Sequence, residues 1–122
     1  MSLQITPAEL EIMKVLWRSP GLGASEISDA LKDSQDWNIR TIKTLLSRLV
    51  DKGALTTRQD GRRYLYIPAV EKGTYQKEAA SQLVERLFGG RAAPLIAQLA
   101  DDGGLSDDDI EELEALLGRL KQ

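Results

Sequence analysis

Residues 38–66, NIRTIKTLLSRLVDKGALTTRQDGRRYLY, are the part of the sequence that indicates the fold most clearly. In its first half, apolar side chains recur three and four residues apart, which is the spacing of one face of an α-helix. Asn38 suits the N-cap of that helix, and Gly53 suits the residue after its end. We therefore predict an amphipathic helix over about 39–52, with these apolar residues inward: Ile42, Leu45, Leu46, Leu49 and Val50. The other face carries Arg40, Thr41, Lys43, Thr44, Ser47 and Arg48.

A two-stranded hairpin is predicted directly after this helix. Its strands cover 55–59 and 62–67, on either side of Asp60-Gly61. Asp-Gly favours the type I′ turn of a tight hairpin, so we expect the turn at this dipeptide. Hydroxyls and long cations are the side chains that hydrogen-bond to base edges and phosphates. The helix and hairpin together therefore indicate a protein that reads a nucleic-acid groove with the helix and binds backbone phosphates with the hairpin, which we call the phosphate clamp. The residues predicted for the clamp are Arg62 and Arg63.

Two further helices are predicted before this stretch. Thr6-Pro7-Ala8-Glu9 is a capping box with proline at N1, and it predicts a helix to about Arg18. A short extended piece around Leu22 leads to a second helix over about 24–32. The order helix, short strand, helix, helix, hairpin is that of a winged helix-turn-helix, whose recognition helix enters the DNA major groove.

The last part of the chain predicts a separate helical module. One helix ends at Gly89-Gly90, a short one covers about 92–101, and Ser106 caps the last. Such short helices bury little apolar surface alone, so their regular leucine stripes indicate that a second copy completes the core. We expect two domains, 1–70 and 71–122, and a homodimer. The predicted dimer contacts are Tyr75, Leu83, Leu87, Phe88, Leu95, Leu99, Ile110, Leu113, Leu116, Leu117 and Leu120.

The net charge of −3 is unevenly distributed along the chain. Residues 1–68 carry 10 Lys and Arg against 8 Asp and Glu, whereas residues 69–122 carry 6 against 11. Within residues 36–68 the balance is 7 against 3, a net charge of +4. Positive charge concentrated on the predicted helix and hairpin is typical of a phosphate-binding surface, and the acidic half indicates a module with a different task.

The composition argues against an enzyme and against a metal protein. The 122 residues include no cysteine, which excludes thiolate metal sites, and no histidine, which removes the commonest general base. The sequence shows no nucleophile with a base and an orienting group, and no glycine-rich phosphate loop before a helix. The acidic residues in 101–109 match no calcium-loop spacing and complement a helix dipole instead. We expect no enzymatic activity, no cofactor and no metal.

The distribution of apolar residues predicts a cytoplasmic protein without membrane insertion. There is no apolar run of about 18 residues, the length that would indicate a membrane span. The N-terminus lacks the basic and apolar pattern of a secretion signal. The hydrophobic content of 42% suffices for a core, which should be mainly aliphatic because only 5% of residues are aromatic.

Taken together, these segments resemble the penicillinase repressor (BlaI/MecI/CopY) family of winged-helix transcriptional regulators. The resemblance covers nearly the whole chain, and several long segments in the right order make it specific. The segments that carry it are ITPAELEIMKVLW (5–17), SEISDAL (25–31), IRTIKTLLSRLVDKGAL (39–55), GRRYLYIP (61–68), LFGG (87–90) and LSDDDIEELEALL (105–117).

The resemblance implies a homodimeric repressor on a palindromic operator, with the third helix in the major groove and the C-terminal helices forming the dimer. The family's DNA-contacting positions match residues already identified in the helix and the wing. Metal-responsive members bind metal through C-terminal cysteines, which this chain lacks. Other members are cut by a sensor-linked protease, typically at an Asn-Phe bond. The corresponding bond here is Gln98-Leu99, which departs from the usual pair.

One alternative stays open at this point. A charged helix face is also typical of an ordinary solvated surface, and winged domains occur that bind proteins. The alternative is therefore a winged-helix protein–protein interaction module without sequence-specific DNA binding. Steep loss of duplex binding with rising salt would favour the repressor, because neutralised phosphates release counterions.

Overall fold

The computed structural model describes residues 3–122 and confirms a mainly helical fold with a small β-wing. Its internal contacts divide the chain into two units, Met1–Glu78 and Ala79–Gln122. The elements are α1 (Pro7–Arg18), α2 (Ala24–Leu31), α3 (Ile39–Asp51), β1 (Leu55–Asp60), β2 (Arg63–Pro68), α4 (Lys72–Phe88), α5 (Ala92–Asp101) and α6 (Asp107–Leu120).

The core of the first unit lies between α1, α2, α3 and the start of the hairpin. All four apolar residues predicted at the centre of the α3 stripe are buried, while Val50 at its edge is half-buried. Each fully buried large aliphatic side chain contributes about 1.5–3 kcal/mol to folding. The cluster consists of Ile12, Met13, Val15, Leu16, Ile27, Leu31, Ile42, Leu45, Leu46, Leu49, Ala54 and Leu55.

Both ends of α3 are capped by local hydrogen bonds. At the start, the Asn38 side-chain oxygen accepts from the Thr41 backbone N–H at 2.9 Å, as predicted. At the end, the Ala54 N–H donates to the Leu49 carbonyl at 2.9 Å and the Gly53 N–H donates to that of Val50 at 3.0 Å. These two bonds form a Schellman motif, which needs the positive φ of 82° that Gly53 adopts. The ends of the helix are thereby fixed to within one residue of the prediction.

The predicted capping box of α1 is present, and its glutamate has a second role. The Glu9 carboxylate accepts from the Thr6 N–H at 2.9 Å, and the Thr6 hydroxyl accepts from the Glu9 N–H at 3.2 Å. Glu9 is only 1% exposed, and the Lys52 ammonium at the end of α3 pairs with it. Lys52 also donates to the Gln4 carbonyl at 2.8 Å. One cation therefore joins the start of α1 to the end of α3.

Burial and pairing act in opposite directions on the Glu9 carboxyl. Burial raises the pKa of Glu9, but hydrogen bonds from Lys52 and the Thr6 backbone, together with the Lys52 charge, lower it further than burial raises it. The net pKa lies below the ordinary value of 4.5. Glu9 therefore stabilises the fold above about pH 4.5, and this contribution is lost as the pH falls through the lower folded pKa.

The hairpin is antiparallel, and its register corrects the predicted turn. Asp60 pairs with Arg63, so the two turn residues are Gly61 and Arg62. The prediction of a type I′ turn at Asp60-Gly61 was wrong by one residue. Type I′ needs positive φ at both central positions, but in residues 3–122 only glycines have positive φ, and Gly61 has φ 65°. A glycine at the first central position is the type II′ pattern, and it moves Arg62 from the strand into the turn.

The wing is fastened to the helices by the predicted extended piece around Leu22. Leu22 forms an antiparallel bridge with Tyr66 of β2. The Tyr66 N–H donates to the Leu22 carbonyl at 2.9 Å, and the Gly21 N–H donates to the Tyr66 carbonyl at 2.9 Å. Burial raises the pKa of the Tyr66 hydroxyl. This single bridge, beside the two-stranded sheet, links β2 to the α1–α2 connection.

Trp17 joins the start of α4 to the first unit. Its indole N–H donates to the Val70 carbonyl at 2.9 Å, and its ring lies 5.8 Å from that of Tyr75. The first turns of α4 therefore pack with the winged part, and the contacts divide the chain between Glu78 and Ala79. The sequence shows the end of the hairpin at Pro68, but it does not show this contact, which joins positions far apart in the chain.

The second unit is built of helices with few enclosed side chains. Ser106 caps α6 by accepting from the Asp109 N–H at 3.0 Å, and the Asp109 side chain accepts from the Ser106 N–H at 3.1 Å. Among the described residues, α4, α5 and α6 contain no buried side chain. Large apolar residues stay exposed on the single chain, namely Leu83, Leu87, Ile96, Leu99, Ile110, Leu116, Leu117 and Leu120.

We predict that Lys52→Met destabilises the first unit by about 2 kcal/mol, because it leaves the buried Glu9 carboxylate without its cation. Acidification should also cost this variant less stability than it costs wild type, because the folded pKa of Glu9 rises when the Lys52 charge no longer opposes burial. Urea unfolding followed by tryptophan fluorescence between pH 3 and 8 measures both effects. The control Lys14→Met removes an exposed pair with Glu11 and should stay within about 0.5 kcal/mol of wild type. Equal midpoints for Lys52→Met and wild type at every pH would contradict this role.

Candidate nucleic-acid interface

The polar face of α3 is presented to solvent because the opposite face is buried. Thirteen residues at about 1.5 Å per residue give a helix roughly 20 Å long, enough to lie along a DNA groove. The Thr44 hydroxyl donates to the Arg40 carbonyl at 3.0 Å, which holds this short side chain against the helix. The residues that line a shallow depression on this face are Ile39, Arg40, Lys43, Thr44 and Ser47. We name this set the α3 face.

Two of the predicted contact residues lie on the flank of α3 rather than at its centre. At 100° per residue, Thr41 and Arg48 project on the side opposite Lys43. Thr41 is half-buried, and its backbone N–H is already bonded to Asn38. Arg48 is exposed. The depression therefore contains four of the six predicted residues, with Lys43 at one edge of the polar arc, and Thr41 and Arg48 form a flanking pair at the other edge.

A groove connects the α3 face with the wing and with the start of α2. Lys43 and Ile39 belong to both surfaces, so the cationic face of α3 continues into this groove without a break. The sequence-predicted residues that the fold brings together here are Lys43, Arg62 and Arg63, from two elements. The full lining is Gly23, Ala24, Ser25, Ile39, Lys43, Arg62, Arg63, Tyr64 and Tyr66. We name it the wing groove.

The two wing arginines have different surroundings. Arg62 is exposed in the turn, and among residues 3–122 it forms no ion pair. Arg63, by contrast, lies with its Nη1 2.8 Å from Glu26 Oε1 and its Nε 3.8 Å from Asp60 Oδ2. Of the predicted clamp, one cation is therefore available to a ligand and the other is engaged by carboxylates.

Glu26 belongs to the cap of α2 as well as to this ion pair. Its Oε1 accepts from the Gly23 backbone N–H at 3.0 Å. That hydrogen bond is the main cause that lowers the pKa of the Glu26 carboxyl; burial raises the pKa, and the Arg63 charge lowers it further, so that the net pKa lies below the ordinary value. Glu26 is therefore ionised at neutral pH, and it is a negative charge at the edge of a surface that is otherwise cationic.

Sequence reasoning missed several residues of these surfaces. Ile39 is 41% exposed and Tyr64 is 54% exposed, and neither was among the residues predicted to contact DNA. Ser25 of α2 also lines the wing groove, although nothing in the sequence indicated that α2 contributes to this surface. The only available signal was that Ile39 lies off the buried stripe of α3. The others required knowledge of how α2 and β2 meet.

The residues predicted for dimer contact are mostly surface residues of the single chain. Leu83, Leu87, Leu99, Ile110, Leu116, Leu117 and Leu120 are exposed, whereas Tyr75, Phe88, Leu95 and Leu113 are half-buried. Tyr75 packs on Trp17 within the first unit. In the second unit, α5 and α6 enclose an open, mainly apolar groove of about 670 Å³. Its apolar lining includes Ile96, Leu99, Leu105, Leu113 and Leu116.

The predicted cleavage bond, Gln98-Leu99, lies inside α5, and both of its residues are exposed. Hydrogen bonds hold both of its carbonyls, with the Asp102 N–H on Gln98 at 3.3 Å and the Gly104 N–H on Leu99 at 2.8 Å. A protease needs an extended strand, so cutting here requires the end of α5 to open.

Among residues 3–122, no three or more Asp or Glu side chains lie close enough together to hold a metal ion. None of the helices formed by those residues has the length and apolar character needed to cross a membrane.

Comparison with known proteins gives consistent matches over nearly the whole chain. The sequence model of the penicillinase repressor family matches residues 5–119. The penicillinase repressor of Bacillus licheniformis is 32% identical over 118 residues, 97% of this chain and 92% of that protein. The methicillin resistance regulatory protein MecI of Staphylococcus aureus is 28% identical and covers 95% and 94%.

Comparison with solved structures agrees with these sequence matches. The monomeric form of BlaI from Bacillus licheniformis, in complex with the blaP half-operator, is 39% identical, with a TM-score of 0.52 over 59% of this chain and 88% of that one. Wild-type MarR from E. coli is 22% identical, with a TM-score of 0.55 over 95% and 77%, and shows the shared fold. The chain belongs to the penicillinase repressor family of DNA-binding winged-helix regulators, which are transcriptional repressors and not enzymes.

Proposed function

We propose that this chain is a homodimeric transcriptional repressor that binds a palindromic double-stranded DNA operator through the α3 face and the wing. The observation that carries this proposal is the α3 face itself, a row of cations and hydroxyls on a rigid, capped helix. The related BlaI structure is a complex with a half-operator, which supports the same use of this chain.

The charge distribution supports phosphate binding by the first unit. Each neutralised phosphate releases condensed counterions, so a local net charge of +4 over residues 36–68 favours a duplex even though the whole chain is at −3. The acidic second unit gains nothing from such contact. This asymmetry favours a chain that touches DNA with one unit and uses the other for assembly.

We assign roles on the α3 face by side-chain chemistry. Arg40 and Lys43 are the candidates for guanine O6 and N7 in the major groove, and the hydroxyls of Thr44 and Ser47 suit either base. Ile39 offers an exposed apolar surface beside them, which suits a thymine methyl group. The flanking pair, Thr41 and Arg48, would meet the DNA backbone at the edge of the groove.

The second unit supports a homodimer. Its leucines are exposed on both sides of an apolar groove, and a second copy would remove them from water. A dimer also holds two α3 helices at half-sites about 34–36 Å apart, which is the spacing of one turn of the duplex. The leucine stripe of α6 is the centre of this proposed interface.

Release from the operator is proposed to follow cutting between Gln98 and Leu99 by a sensor-linked protease. The bond is in a helix with no buried side chain among the described residues, so local opening should be easy there. Cutting would remove α6 and its stripe and would leave the first unit intact. Each half-site would then be bound singly, which loses the avidity of the pair.

A winged-helix protein-interaction module is the competing function. Its partner would be an acidic protein, and its binding would not depend on duplex sequence. The α3 face favours DNA because it combines cations with hydroxyls, the side chains that bond phosphates and base edges.

Selection of bound duplexes from a random pool with the wild-type chain defines the operator and tests the proposal directly. On the selected duplex we expect Lys43→Ala or Arg40→Ala to cost about 1–3 kcal/mol, because a base contact is lost. On a scrambled duplex the loss should be smaller. Binding is measured at several salt concentrations.

The matched control is Lys32→Ala, which removes the same charge at the end of α2 remote from the wing groove. It should bind as wild type does. If Lys43→Ala and Arg40→Ala both match wild type on the two duplexes, the α3 face is not the reader. Enrichment of no duplex at all would favour the protein-interaction module.

Assembly is tested by Leu83→Asp, which places a charge on an exposed apolar residue of α4 in the proposed interface. We expect it to abolish the dimer, because an unpaired buried charge costs several kcal/mol. Sedimentation at micromolar concentration measures the state. Ser81→Asp adds the same charge on the opposite face of α4 and should leave the dimer intact. A wild-type chain that sediments as a monomer would refute the assembly proposal.

The release step is tested by a chain that ends at Gln98. We expect it to be a monomer whose first unit unfolds at the wild-type temperature, with operator affinity roughly 10²- to 10⁴-fold lower. A chain that ends at Leu120, which keeps all of α6, is the control and should bind like the full chain. If the chain that ends at Gln98 dimerises and binds normally, release does not act through α6.

A further inference from the structure

We infer that the two arginines at the wing tip have different roles. Arg63 is a positioning residue that fastens the wing to α2 through Glu26, and Arg62 is the residue of this pair that contacts a DNA phosphate. The inference rests on the proposed DNA binding for Arg62, whereas the fastening by Arg63 is a property of the chain alone.

The first observation is the ion pair itself. Arg63 Nη1 donates to Glu26 Oε1 at 2.8 Å, and the two residues are 37 positions apart in the chain. The bond therefore joins β2 to α2, next to the bridge between Leu22 and Tyr66. Asp60 lies 3.8 Å from the Arg63 Nε, so the guanidinium is held from a second side.

The second observation is that the carboxylate is held in place by α2. Glu26 Oε1 also accepts from the Gly23 N–H at 3.0 Å, so its position is set by the first turn of the helix. Gly23 is buried, and a Cβ there would lie 3.3 Å from Glu26 Oε1, 3.4 Å from Arg63 Nη1 and 3.4 Å from the Tyr64 carbonyl. Four groups from two elements thus converge at one packed point.

The third observation is electrostatic. Binding of Arg63 to a phosphate would leave the Glu26 carboxylate without its cation at the edge of the wing groove. The gain from one phosphate contact would then be offset by repulsion from that carboxylate. Arg62 carries no such penalty, because within residues 3–122 it has no carboxylate partner. The turn also projects it beyond the strands.

These roles predict distinct salt dependences on the operator. Arg62→Ala should reduce the slope of log affinity against log salt by about one unit, as expected for one lost phosphate contact. Arg63→Ala and Glu26→Gln should each weaken binding a few-fold and leave the slope unchanged. The double variant should be no weaker than either single variant, because both remove the same link. Arg63→Lys should restore part of the loss.

Arg86→Ala, at an exposed position of α4, is the control for loss of one arginine and should leave the slope unchanged. The assignment is overturned if Arg63→Ala flattens the slope by about one unit and Glu26→Gln binds more tightly than wild type. In that case Arg63 is the phosphate contact and Glu26 merely competes for it.

A measurement without DNA separates this inference from the proposed function. Amide hydrogen exchange of the Tyr66 N–H, which is bonded to the Leu22 carbonyl, reports opening of the wing. Arg63→Ala and Glu26→Gln should each speed this exchange roughly two- to five-fold, consistent with loss of an exposed ion pair. Arg62→Ala should leave it at the wild-type rate. Unchanged exchange in both Arg63→Ala and Glu26→Gln refutes the positioning role, whether or not the chain binds duplexes.

Discussion

Burial of one face of α3 is the constraint on which the rest of the first unit depends. Ile42, Leu46 and Leu49 are at most 1% exposed, so the helix cannot rotate about its axis without bringing aliphatic surface into water. Arg40 and Lys43 consequently point outward, although no ion pair within residues 3–122 holds them there. The free energy gained by burying the inward face thus holds the outward face in the position in which we propose that it binds a DNA groove.

Fixing the direction of α3 requires further contacts at its ends and around the wing. At the C-terminal end, Lys52 pairs with buried Glu9 and so ties α3 to the cap of α1. Beside its N-terminal half, the wing is held by the Leu22–Tyr66 bridge and by the pair between Glu26 and Arg63. A reading helix that is fixed at both ends and flanked by an anchored hairpin loses little freedom on binding, which is what preorganisation for a groove requires.

The two units differ in how far they bury their apolar side chains within one chain. The first encloses its aliphatic residues within one chain, so it can expose a polar face of fixed shape. The second carries regular leucine stripes that stay largely open on one chain, with Leu120 71% exposed and Leu117 53% exposed. Its stability should therefore depend on concentration if a second copy covers it, whereas that of the first unit should not. This difference would let assembly be regulated without disturbing the reading surface.

The helices, their caps and the polar face of α3 could be predicted from the sequence alone, because periodicity and capping depend on residues within a few positions of one another. It placed the turn one residue early, because the position of the turn follows from the register of β1 against β2, in which Asp60 pairs with Arg63. Which of the wing arginines is available to a ligand became evident only from the tertiary structure. Arg62 and Arg63 are adjacent and chemically identical in the sequence, but a carboxylate 37 positions away engages one of them. Long-range pairing of this kind leaves no local pattern, because it depends on how α2 and β2 pack and not on the spacing within either.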